Sequence, residues 1–153
     1  MREIKKILVS ICILFVLFSL YLNSVWNNYL FTPFNFVEDD ITVGNWKDYK
    51  EPIQFDLSNI DEGWKTKTIE NTNDIKYIIK ELKRSNYSIE ENINEEGTHF
   101  VLTLRRVGKI DNETDGVLLQ FKGSTNGIIN VNNQKEKYMT ESLKDYIKQE
   151  LSD

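Results

Sequence analysis

Alanine is missing from all 153 residues, histidine and cysteine occur once each (His99 and Cys12), and proline stands only at Pro33 and Pro52. Each shortage excludes something. With no cysteine beyond Cys12, no disulfide can staple the chain, so whatever folds here must fold on burial alone. Cys12 itself sits after a bulky Ile11 inside an apolar run. It reads as a small hydrophobe facing lipid, not as a lipidation site. One histidine leaves no partner for a zinc site, and Ser124, in Gly-Ser-Thr-Asn-Gly, lacks the second glycine of a nucleophile elbow. His99 therefore reads as an exposed strand residue. Cations are scarce too. After Lys6 none appears before Lys47, and the formal net charge is −5. A polyanion needs a dense basic surface, so no nucleic acid is expected as a partner, and anionic lipid is expected to be a poor partner for the domain as a whole.

What is abundant is a run of uninterrupted apolar side chains. Residues 7–22 carry no charge, glycine or proline. At 1.5 Å per residue those residues make a helix of about 24 Å, and extension to Trp26 approaches the roughly 30 Å of a hydrocarbon core. Arg2, Lys5 and Lys6 precede the run against a lone Glu3. The positive-inside bias then keeps the N-terminus in the cytoplasm and sends the rest outside. Removal of the segment as a signal would need small side chains at the last and third-last positions before the cut. Leu22-Asn23-Ser24 and Leu17-Phe18-Ser19 come nearest, and each offers leucine at the third-last place. An uncleaved anchor fits better. The organisation expected is a basic tail (1–6), a transmembrane anchor (7–26), an aromatic linker (27–40) and one extracytoplasmic domain (41–153). No cofactor is implied; the partners expected are the bilayer, through residues 7–26, and another envelope or membrane protein.

Beyond the anchor the chain turns aromatic. Trp26, Tyr29, Phe31, Phe34 and Phe36 follow in quick succession, and Pro33 prevents one continuous helix. Such rings gather at headgroup depth, so these five are expected to lie in the outer interface, with packing beneath the domain as the alternative. Glu38, Asp39 and Asp40 close the stretch.

The domain reads as α+β with a mainly antiparallel sheet and two amphipathic helices on one face. Residues 53–57 alternate apolar and polar after Pro52, and 64–69 make a more exposed strand. Ile75, Ile78, Ile79 and Leu82 fall at i, i+3, i+4 and i+7, which predicts a helix over 74–84 capped by Thr72 or Asn73. Lys80, Lys83 and Arg84 suit its C-terminal dipole. A short strand is expected within 87–93, a turn at Glu95-Glu96-Gly97, and a firm strand over 99–107. Asn126-Gly127 joins 116–122 to 128–131 as a hairpin, because a tight turn needs positive φ. Leu143, Tyr146, Ile147 and Leu151 mark a closing helix entered near Thr140.

An anchor flanked by lysines, a strand over 64–69, a helix over 74–84 and a closing helix through Tyr146-Ile147 resemble exported proteins of Bacillus-type bacteria. The lack of alanine and the wealth of Ile, Lys, Asn and Glu suggest the same low-GC origin. The resemblance implies an envelope location and brings no activity and no site residue with it.

Two constellations remain. Asp111, Glu113, Asp115 and Gly116 occupy positions one, three, five and six of a calcium loop, but position twelve, where a bidentate glutamate belongs, is Lys122. They form a weak calcium candidate beside the reading of a turn-rich hairpin loop. The many carboxylates could also serve an envelope hydrolase, although no acid and base pair stands out. If the loop is only a turn, calorimetry of the protein with millimolar calcium will show no heat and no change in melting temperature; a rise in both would establish the site.

Overall fold

A computed structural model describes residues 2–27, 30–49, 53–87, 97–107, 116–131 and 135–152. Helix α1 (Arg2–Asn27) is built from the apolar run, and its stretch Ile4–Asn23 is long and apolar enough to cross a membrane, with none of it buried by the rest of the chain. The large side chains from Ile7 to Tyr21 are each 54–70% exposed. A helix apolar all round has no face to turn to water.

The remainder is a seven-stranded sheet with two helices laid over it. Strand β1 (Ile53–Asn59) pairs with β2 (Lys65–Ile69) on one side and β4 (His99–Arg106) on the other; β5 (Val117–Ser124), β6 (Ile128–Val131) and β7 (Lys135–Tyr138) follow. The two-residue β3 (Asn86–Tyr87) closes the far edge, giving the order β2-β1-β4-β5-β6-β7-β3 with every pair antiparallel. Helix α2 (Thr72–Arg84) links β2 to β3 and so must travel from one edge to the other. Six inter-strand gaps span about 29 Å. Thirteen helical residues supply about 20 Å, and the three flanking residues the rest. Helix α3 (Glu141–Ser152) returns from β7, where Thr140 caps it by accepting from Leu143 N (3.2 Å), to the β2 edge, where Glu150 pairs with Lys67 at 3.0 Å.

Between helices and sheet lies one apolar core. Strand alternation sends Phe55 and Leu57, Phe100, Leu102 and Leu104, Leu119 and Phe121, and Ile129 into it. The helices add Ile75, Ile78, Ile79 and Leu82 from α2 and Leu143 and Ile147 from α3. The opposite face of β1, β2 and β4 is polar and ties itself together. Ser58 Oγ meets Thr66 Oγ1 at 2.8 Å, Thr68 Oγ1 donates to Asp56 Oδ1 at 2.9 Å, and Arg105 pairs with Asp56. Such cross-strand pairs let a sheet face stay wet.

Several expectations are revised. The cap of α2 is Asn71, whose side chain accepts from Asn73 N at 2.8 Å, one residue before the pair expected. Strand β7 was not expected at all, since Lys-Glu-Lys-Tyr shows no apolar alternation. The expected strand over 87–93 appears as β3 over Asn86–Tyr87, and residues 88–93 lie outside the description. Leu30, within the stretch expected as a linker, is buried in the core, and its N–H donates to Tyr49 O at 3.2 Å. The Asn126-Gly127 hairpin is present, with Gly127 at φ 117° and its N–H on Ser124 O at 3.0 Å.

Phe121, fully buried on the central strand β5, tests this core. Phe121→Ala should lower unfolding free energy by about 3–5 kcal/mol, read by chemical denaturation followed by near-UV circular dichroism.

Candidate functional site

The most structured polar region surrounds α2. Its residues fall on three faces at helical spacing. Ile75, Ile78, Ile79 and Leu82 enter the core. Tyr77 and Glu81 turn to α3: the Tyr77 hydroxyl donates to Ser142 O (3.2 Å), its ring lies 5.6 Å from that of Tyr146, and Glu81 Oε2 accepts from Thr140 Oγ1 at 2.7 Å. The third face carries Lys76, Lys80 and Lys83, at i, i+4 and i+7, and it looks onto residues 30–39.

That segment is held in place by side chains chosen for tight turns. Asn35 Oδ1 accepts from Thr32 N at 2.6 Å, closing a turn through Pro33. Asp39 Oδ1 accepts from the N–H groups of Ile41 (2.9 Å) and Thr42 (2.8 Å), an Asx turn. Its other oxygen pairs with Lys83 Nζ at 2.8 Å, and the same ammonium donates to Thr42 Oγ1 (2.7 Å) and Val37 O (3.1 Å). Burial pushes the Asp39 carboxyl up, but Lys83 and the two N–H groups outweigh it and hold it below its ordinary value. Phe31, Phe36 and Tyr49 pack as a trio, with centroids 5.2–5.7 Å apart. The Tyr49 hydroxyl donates to Val43 O at 2.9 Å; burial and the nearby acidic groups raise its pKa to about 12.

The next carboxylate reaches the sheet edge. Asp40 pairs with Lys137 Nζ at 2.8 Å and accepts from the Tyr87 hydroxyl, while Lys137 lies over the Tyr87 ring at 4.5 Å. The Lys137 side chain is only 4% exposed. Burying an ammonium is costly unless it is paired, so this ion pair is what permits a lysine on the inner face of β7. Here too burial raises the Asp40 pKa, and Lys137 and Tyr87 bring it below its ordinary value.

Between α2 and residues 30–39 these contacts leave an open groove of about 790 Å³. Its floor is apolar, from Leu30, Phe31 and Ile79, and its rim holds Lys76, Lys80, Lys83 and Arg84 with Asp39 as the one carboxylate.

No family model, curated protein or solved structure matches this chain. The site is therefore read from its own residues.

Asp111, Glu113 and Asp115 lie outside the described residues; the loop that holds them joins the paired strands β4 and β5, whereas the helical calcium hand is flanked by helices. His99 N donates to Asp61 Oδ2 at 2.7 Å and its ring Nδ1 lies 3.4 Å from the same oxygen. No group of three metal-ligating side chains occurs among the described residues. Of the five rings assigned to the membrane interface, Phe31 and Phe36 pack against the domain's core, because Tyr49 offers them an apolar partner; Phe34 is 85% exposed. Tyr29 and the Trp26 side chain lie outside the description. The cationic face of α2 was missed as a site because Lys80, Lys83 and Arg84 were fully accounted for by the helix dipole. The i, i+4, i+7 spacing from Lys76 was the available signal.

Removing Asp40 strands a buried cation. Asp40→Asn should cost about 1–3 kcal/mol, below the value for a fully buried pair because Asp40 is partly exposed, and adding Lys137→Met should restore most of it. Denaturant midpoints of the single and double variants check this. Asp39, Asp40 and Glu81 all have lowered folded pKa values, so their stabilisation is present above the unfolded values near 4 and is lost as pH falls through and below them. Melting temperature should hold at neutral pH and drop steeply below about pH 4.

Proposed function

We propose that the chain is a single-pass membrane protein that displays its α+β domain on the outer face of a membrane and acts there by contact with another envelope or membrane protein. The observation that carries this reading is the bare helix α1. Its large apolar side chains from Ile4 to Tyr21 are exposed, and among the described residues none covers the span Ile4–Asn23. Apolar surface costs about 25 cal/mol per Å² in water, so a helix of this size demands a nonaqueous surrounding. Arg2, Lys5 and Lys6 at its start favour an N-terminus inside.

Contact is favoured over catalysis by the state of the carboxylates. Asp39, Asp40, Asp48, Asp56 and Glu81 each pair with a lysine or arginine that braces the fold. A hydrolytic pair needs one carboxyl held protonated near neutral pH, and the Asp39, Asp40 and Glu81 pKa values are shifted the other way. An envelope hydrolase remains the rival to be tested by turnover.

Protease added to intact cells expressing the full chain should remove the C-terminal domain, and the fragment left in the membrane should retain the N-terminal residues. Protection of the domain until the cells are lysed would overturn the orientation, and recovery of a mature chain lacking residues 1–26 would overturn the anchor.

A further inference from the structure

We infer that the groove between α2 and residues 30–39 binds the phosphate headgroup of an anionic phospholipid from the bilayer that α1 enters. The inference deepens the tethered reading and rests on it.

Charge comes first. Lys76, Lys80, Lys83 and Arg84 line the groove with Asp39 as the one lining carboxylate; Asp39 engages Lys83 and Glu81 engages Arg84, which leaves Lys76 and Lys80 to meet an anion. Lys76 and Lys80 are exposed and no carboxylate pairs with either among the described residues. The C-terminal end of α2 opposes an anion with about half a charge, which the cations exceed several times over. The rest of the outer domain is acidic, but charges beyond about 8 Å are screened at physiological salt. What a phosphate entering the groove meets is therefore the lysine face.

Shape and polarity agree. A volume of about 790 Å³ lies within the range of small-molecule sites, and the floor of Leu30, Phe31 and Ile79 under a cationic rim suits a ligand that is itself polar at one end and apolar at the other. A free anion has no use for such a floor.

Proximity decides the source. The apolar span ends at Asn23 and α1 at Asn27, and Leu30 lines the groove. Four helical residues and three of any conformation place Leu30 within about 17 Å of the hydrocarbon edge. The headgroup layer fills about 5–7 Å of that distance. The groove is thus tethered where lipid phosphates are concentrated.

Native mass spectrometry of the full chain in a neutral detergent, with phosphatidylglycerol or phosphatidylcholine of identical acyl chains, tests the inference. The chain should retain phosphatidylglycerol preferentially, and millimolar inorganic phosphate should not displace it. Lys76→Gln with Lys80→Gln should weaken that retention at least about tenfold, the loss of one charge-assisted hydrogen bond to the phosphate. Both lysines are exposed, so folding should survive, as unchanged circular dichroism would show. Lys65→Gln with Lys122→Gln removes the same charge from the sheet and should leave retention intact. Equal retention of the two lipids overturns the inference. So does equal loss in the two double variants, displacement by inorganic phosphate, or loss only when Arg2, Lys5 and Lys6 are replaced. If the domain is digested on intact cells while lipid selectivity is absent, the groove falls and the tether stands; if selectivity is present but the domain is protected, the groove stands and the outward orientation falls.

Discussion

One helix has to reach from edge to edge of one sheet, and the rest of the domain follows from that requirement. Strands β2 and β3 lie at opposite borders, so α2 crosses all the strands between them. A helix in that position cannot be amphipathic in the simple sense of one apolar and one wet side. It meets the sheet below, α3 on one flank and residues 30–39 on the other, and its side chains are sorted accordingly. The isoleucines and Leu82 bury area, Tyr77 and Glu81 bond α3, and the lysines line what is left open.

The segment after α1 is not a passive linker. Leu30 and Ile41 are core residues, and the carboxylates between them fasten onto α2 through Lys83 and onto β7 through Lys137. Because both ammonium groups are partly or wholly buried, each ion pair is desolvated enough to hold position, and losing either partner leaves an uncompensated charge. In sequence, only three positions separate the last residue of α1, Asn27, from the buried core residue Leu30. Leu30 also lines the groove.

Local chemistry explains which elements can be read from the residues alone. The α2 apolar face, the alternation of β4 and the Asn126-Gly127 turn each depend on neighbours within a few positions, and all three stand as the residues suggest. Strand β7 has no such signature. Its inward residue is Lys137, admitted to the interior only because Asp40, far away in sequence, neutralises it. Phe31 and Phe36 fail to declare themselves for a related reason: an aromatic ring suits a membrane interface and a protein core equally well, and Tyr49 settles the matter for these two. The capping residue of α2 shifted by one because Asn71, Thr72 and Asn73 are all competent caps and only the backbone turn selects among them.

By sequence alone, this protein has an apolar helix that water cannot accommodate, an acidic domain without disulfides, and a helix with four apolar residues on one face, because hydropathy and periodicity are properties of adjacent residues. Tertiary structure alone decided that β3 closes the far edge, that a buried lysine is tolerable on β7, and that the lysines of α2 look onto a groove lined by residues 30–39. Those outcomes depend on charges and surfaces brought together across forty residues or more, and no local pattern encodes which of them will meet.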